Sequence, residues 1–69
     1  MEDVEARDLV VRSLASLPAR QRAAIVLMDV LDLSSERAGE VLGIRPVTVR
    51  VLAARARVTL ANEMGAGDD

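Results

Sequence analysis

Ser34-Ser35-Glu36-Arg37-Ala38-Gly39-Glu40-Val41-Leu42-Gly43-Ile44-Arg45-Pro46-Val47-Thr48-Val49-Arg50 is the stretch that decides the fold. Ser34 is a good N-cap, because its hydroxyl accepts one of the N–H groups that a helix start leaves orphaned. Gly43 stands at the C′ position of a helix of about nine residues, where a left-handed backbone is favoured. Between them Ala38, Val41 and Leu42 make an apolar face. Pro46 then opens a longer helix, since its fixed φ suits a first turn and its missing N–H is no loss there. A short capped helix, a turn containing Gly and a following helix form the spacing of a helix-turn-helix. In such a unit the second helix is placed to enter a DNA major groove, which is about 12 Å wide.

Working outward, the last helix is expected from near Pro46 to about Met64. Val49, Leu52 or Ala53, Ala56 and Leu60 form its inward stripe. Arg50, Ala54 and Arg57 fall on the opposite face at i, i+4 and i+7, with Arg55 on an adjacent face. Upstream, a second helix starts at Leu17-Pro18, with Ser16 or Leu17 as cap and Pro18 as the first helical residue, and runs to about Leu31. Ala23 to Met28 is apolar all round, which indicates cover on several sides. A first helix is expected from about Asp3 to Ala15, with Leu9, Val10, Ser13, Leu14 and Leu17 on one face. Acids crowd its first turn, at the positive end of the macrodipole. Gly39 lies inside a helix at a cost of about 1 kcal/mol relative to Ala, which suggests close approach by a neighbouring helix. No stretch alternates with the period of a strand. The expectation is an all-α, four-helix domain over residues 1–64, with a disordered acidic tail at 65–69.

Composition narrows the function. At 69 residues the chain is one small domain, and such a domain buries only about 60% of its unfolded surface. Hydrophobic residues make up 51% of it, yet there is no Phe, Trp or Tyr, so Leu, Val, Ile, Ala and Met must build the core. The absence of Cys excludes disulfides and thiolate metal sites, and the absence of His removes the usual general base and the commonest zinc ligand. No catalytic residue, cofactor, metal or small-molecule substrate is therefore expected. Glu36 and Glu40, at i and i+4, read as a solvated helix face, and Met28 and Met64 as core filler and helix end. Asp29 and Asp32 read as exposed residues near the end of the second helix, with Arg20 and Arg22 forming at most surface ion pairs. The longest uncharged apolar run falls far short of the roughly 20 residues of a membrane span, and the N-terminus is acidic where a signal peptide is basic. A cytoplasmic protein is expected.

Net charge is −2, but the charges are segregated. Residues 1–42 carry five Arg and eight acids, residues 43–62 carry Arg45, Arg50, Arg55 and Arg57 with no acid, and residues 63–69 carry three acids. The single basic, acid-free segment coincides with the second helix of the helix-turn-helix. Arginine suits bidentate contact with phosphate or guanine. That coincidence points to duplex DNA as the partner.

The same residues carry a resemblance. Leu17-Pro18-Ala19-Arg20-Gln21-Arg22-Ala23-Ala24 is similar to the opening of region 4 of sigma-70-type RNA polymerase sigma factors. Leu33 to Ile44, then Thr48-Val49-Arg50 and Arg55-Ala56-Arg57-Val58-Thr59-Leu60, follow in the family's order and spacing. The match covers about residues 14–60, and the length suggests the extracytoplasmic-function group. The helix-turn-helix would then be of the winged-helix-like or sigma region 4 type. The resemblance implies that the last helix reads the −35 promoter element, that the domain packs on the flap of the polymerase β subunit, and that an anti-sigma factor is a further partner. Carried over by position, Arg50, Val51, Ala54 and Arg55 are the base and phosphate contacts, with Arg57 nearby and Thr48 at the helix start. Arg20 and Gln21 match positions near the DNA backbone, and Ser34 and Ser35 sit where a helix N-terminus offers N–H groups to phosphate. The family's region 2 has no counterpart in these residues, so the expectation is the C-terminal domain of a longer sigma factor, with an orphan domain as the alternative.

The departures from the family pattern carry chemistry. Val51 replaces a residue that is often polar, Leu52 a frequent Arg, and Ala54 a larger side chain. Val51 and Ala54 cannot hydrogen-bond base edges but can touch a thymine methyl, so readout is expected to rest on Arg50 and Arg55. Arg37 replaces a second Glu, Gly39 a frequent Ala, and Arg45 a capping Ser, which leaves the last helix poorly capped but places a cation near phosphates. Two other readings compete: a module docking on a protein through Val47, Val51 and Leu52, and a stand-alone dimeric regulator, for which no coiled-coil seam is present.

Overall fold

The structure is a computed structural model that describes residues 2–65. Four helical elements follow one another: α1 (Glu2–Ala15), α2 (Ala19–Ile25, continued by a wider π turn over Val26–Val30), α3 (Ser35–Leu42) and α4 (Pro46–Gly65). Among the described residues there is no strand, so no β wing accompanies the helix-turn-helix. Gly65 closes α4, and the remainder of the expected tail, like the side chain of Met64, lies outside the described residues.

The core is made of small side chains arranged around α4. Ala24, Ala38, Val49 and Ala53 are fully buried, with Leu27, Met28, Ile44 and Leu52 packed against them. Leu17, Ile25 and Ala56 form a second cluster with Leu14, Val26 and Leu60. Val49 is the largest side chain buried completely. The inward stripe of the last helix is thus the expected one, and every residue from Ala23 to Met28 is buried or half-buried. With alanines at the crossing points, the helix backbones can lie close together, which is how a chain without aromatics closes a core.

Local chemistry explains the boundaries. Ser34 caps α3, its Oγ accepting from the Arg37 N–H at 3.1 Å. Gly43 ends α3 in the left-handed region at φ 71°, and its N–H donates to the Gly39 carbonyl. Pro18 is the N-cap of α2 at ψ 145°, so the helix starts at Ala19, one residue later than expected, and the Pro18 carbonyl accepts from the Arg22 N–H at 2.9 Å. The last turn of α2 loosens, with the Leu31 N–H bonded back to Val26 and the Leu33 N–H to Leu27, each at 2.9 Å. Asp32 then takes φ 62°, a left-handed conformation that Asp tolerates better than most residues, and turns the chain toward α3.

Three expectations about faces need correction. Leu9 and Val10 are 42% and 41% exposed; of the α1 side chains described, those of Ser13 and Leu14, near its C-terminal end, are the ones buried or half-buried, with Leu17 following them. Val41 is 60% exposed. The inward face of α3 is instead Ser35, Ala38, Gly39 and Leu42, a stripe at i, i+3, i+4 and i+7 from which Val41 is rotated away. The close approach at Gly39 is by the turn as much as by a helix: a Cβ there would meet the Ile44 carbonyl oxygen at 2.6 Å and the Pro46 nitrogen at 3.4 Å.

Arg22 does not form the expected surface ion pair. Its Nη1 donates to the carbonyls of Ala15 at 2.9 Å, Leu17 at 3.3 Å and Leu14 at 3.4 Å, closing the C-terminal end of α1 with a cation where the macrodipole is negative. Ser16 Oγ completes that corner, 2.8 Å from the Ser13 carbonyl and 3.1 Å from the Glu63 carboxylate on α4.

Candidate nucleic-acid interface

The Gly43 turn brings α3 and α4 together through Ala38, Val49 and Ala53, and this fixes which side of α4 faces water. Arg50, Val51, Ala54 and Arg55 are all exposed on that side, and Thr48 is half-buried at its edge. Arg45 is exposed in the turn and shares a shallow groove with Glu36 and Glu40 of α3. Arg20 is exposed in the first turn of α2.

The expected residues fall into three groups. Around the start of α3, Ser34 is engaged by its cap, while Ser35 is buried and its Oγ accepts from Arg50 Nη1 at 2.8 Å. Arg50 is therefore tied to the N-terminal turn of α3 and does not stand free on α4. In a second group, Gln21, Ala54 and Arg55 line one groove between α2 and α4 together with Val58 and Thr59. Gln21 is half-buried there, and its Oε1 has no hydrogen-bond partner in the protein.

Arg57 stands apart. Its Nε and Nη2 donate to the two carboxylate oxygens of Asp29, both at 2.8 Å, a bidentate pair between α4 and the π turn. The hydrogen bond from Arg57 holds the Asp29 carboxyl below its ordinary value of 3.8, against a smaller opposing effect of desolvation, and the same bond raises the Arg57 guanidinium. From the sequence, Asp29 reads as an exposed residue near the end of a helix, pairing at most with Arg20 or Arg22; its partner is Arg57 instead. The only signal was a carboxylate near the end of one helix and a distant Arg, and nothing in the spacing joins them. Among the described residues no group of three or more acids gathers in a way that would hold a metal ion.

The basic segment 43–62, which has no acid, is presented by a capped helix and a Gly turn, an arrangement that suits a polyanion. The sequence pattern described as "Sigma-70, region 4" matches residues 7–60, most of the chain and the whole of this surface. The chain belongs to the sigma-70 region 4 family. That family consists of transcription factors, not enzymes. Proteins named ECF RNA polymerase sigma factor SigM in two strains of Mycobacterium tuberculosis are each 40% identical to it over 62 residues. Those alignments take in 90% of this chain and 32% of each relative, so the chain spans about a third of the length of the curated relatives it matches. No solved structure matches this region 4 chain. Its described helices include none long and apolar enough to cross a membrane.

Proposed function

We propose that this domain binds duplex promoter DNA at the −35 element, as the C-terminal part of a sigma factor that directs RNA polymerase to its start sites. The observation that carries the reading is the folding of the acid-free segment 43–62 as the outward helix of a helix-turn-helix. Arg50 and Arg55 make base-edge or phosphate contacts, and Val51 and Ala54 lie against the groove floor between them. Arg45 and Thr48 at the helix start, and Arg20 and Gln21 on α2, meet the flanking backbone. The remaining free N–H groups at the start of α3, beside Ser34 and Ser35, receive a phosphate. Arg57 contributes to phosphate binding only by leaving Asp29. The domain works in the cytoplasm, with the polymerase β flap and an anti-sigma factor as protein partners.

A pool of random duplexes, titrated with the domain at two salt concentrations and sequenced, tests this reading. A short motif is enriched, and affinity falls steeply with salt because phosphate contacts release counterions. Arg50→Ala and Arg55→Ala each weaken binding to that motif by about 1–3 kcal/mol while the helical circular dichroism stays as in the parent. Absence of both a motif and a salt effect would overturn the proposal.

One observation favours protein docking as an additional role. Leu9, Val10 and Val11 of α1 remain 42%, 41% and 56% exposed. Leu52, by contrast, is packed on the core and is not available to the docking patch expected from sequence. Binding of a polymerase or anti-sigma partner through α1 would persist at salt concentrations that release DNA.

A further inference from the structure

We propose that α4 selects its DNA by touching thymine methyl groups, with Val47 and Val51 as the reading side chains and the arginines as clamps on either flank. The proposal rests on the DNA-binding reading above and says what kind of base feature is read.

Val47, Val51, Ala54 and Val58 recur at i, i+4, i+7 and i+11, so they form one line along the helix. Val47, Val51 and Val58 are 52%, 43% and 61% exposed, and Ala54 is exposed between them. The opposite line, Val49, Ala53 and Ala56, closes the core completely without them. Local structure does not ask for this ridge, since β-branched residues are weaker helix formers than Ala, Arg or Glu. The ridge is therefore an apolar surface that the fold leaves to a ligand.

Charge names the ligand. Arg50 lies about 100° round the helix from Val51 on one flank, and Arg55 about 100° from Ala54 on the other. No acid occurs in residues 43–62 to repel a phosphate. Arg50 is drawn toward α3 by Ser35 Oγ at 2.8 Å, and Arg57 is drawn toward the π turn by Asp29. Both guanidinium groups are thus held to the sides, and the side chains that meet the groove floor are those of the ridge. Valine and alanine have neither donor nor acceptor. The thymine C5-methyl is the apolar feature that a base pair shows in the major groove, so it is the feature this ridge can recognise. The first turns of a recognition helix lie nearest the base edges. Val47 and Val51 occupy those turns, Ala54 gives clearance, and Val58 is about 16 Å along the axis from Val47.

The test uses the enriched duplex from the selection above, with deoxyuridine replacing thymidine one position at a time. Loss of one contacted methyl weakens binding of the 69-residue chain about fourfold. Val51→Ala or Val47→Ala removes that thymine-over-uracil preference at its own position. Both variants raise helix propensity, and a circular dichroism melt confirms that they fold. An enriched motif without any A·T pair, or uracil tolerated at every position, overturns methyl readout and leaves DNA binding standing. A uracil effect that is unchanged in both valine variants overturns the ridge as the reader. Failure to enrich any duplex overturns this proposal together with the reading beneath it.

Discussion

Gly39 and Gly43 are four residues apart and are required for different reasons. Gly43 has φ 71° and open space around it, so a side chain there costs only the strain of the left-handed backbone, about 1–2 kcal/mol. Gly39 is helical, and a Cβ would meet the Ile44 carbonyl at 2.6 Å. A backbone oxygen inside a tight turn cannot rotate away as a side chain would. Gly39→Ala is therefore expected to destabilise by roughly 2–3 kcal/mol even after the helix-propensity gain of Ala, and to do so more than Gly43→Ala. Urea midpoints of the two variants check this, and the reverse order would refute the account of the turn. Gly43 was legible in the sequence because a C-cap is local chemistry. The partner of Gly39 was only half legible: periodicity shows that a glycine interrupts a helix, not that a carbonyl five residues later folds back onto it.

At the scale of the element, α1 is held at one end. Arg22 binds three carbonyls at that end, and Ser16 adds a contact to Glu63. Arg22→Ala is expected to lower stability by about 1 kcal/mol and to speed amide hydrogen exchange in α1 selectively, with α3 and α4 protected as before. Equal acceleration in all helices would show that Arg22 supports the core and not the α1 end. The same element shows what patterning can and cannot say. Leu9 and Val10 fall on the face of Ser13, Leu14 and Leu17, so the helix and its face were readable. Whether another element reaches far enough to cover that face depends on the lengths and crossings of all the helices, which no local spacing encodes. The π turn at Val26–Val30 has no residue signature of its own, and the left-handed backbone at Asp32 has only a weak one, since Asp adopts it more readily than most residues without requiring it. By contrast, Ser34, Gly43 and Pro46 are residues whose chemistry places a helix boundary wherever they stand, and those boundaries lay where expected. The candidate interface was legible as the acid-free segment 43–62. The tethering of Arg50 by Ser35 was not, since a 15-residue separation links them only through the fold.

At the scale of the whole molecule, the Asp29–Arg57 pair joins the π turn to the middle of α4. Its side chains are 40% and 47% exposed, so it contributes about 0.2–1 kcal/mol. Asp29 has a folded value below 3.8, so the pair's stabilisation is fully present above that pH and is lost as pH falls through the lower folded value. Acid titration of the parent against Asp29→Asn, followed by circular dichroism, isolates this contribution, which disappears in the variant. The same substitution releases Arg57 and removes a negative charge beside the proposed DNA face. Asp29→Asn is expected to tighten DNA binding and to steepen its salt dependence by about one phosphate contact, and adding Arg57→Ala abolishes the gain. Unchanged affinity in the single variant would show that Arg57 lies outside the reach of DNA.

The fully buried positions where α2, α3 and α4 meet include Ala24, Ala38, Ala53 and Ala56. Alanine has no rotamers, so this seam has no alternative packing to fall into when an outward residue is changed. The frame and the reading edge are consequently separate in their tolerance of mutation. Under the proposed DNA-binding reading, substitutions at positions 47, 51, 54 and 55 explore new target sequences with little effect on the helix crossings, whereas enlarging any of the four alanines shifts the angle at which every one of those residues is presented. A lineage of such domains would be free to diverge in what it reads while holding one geometry.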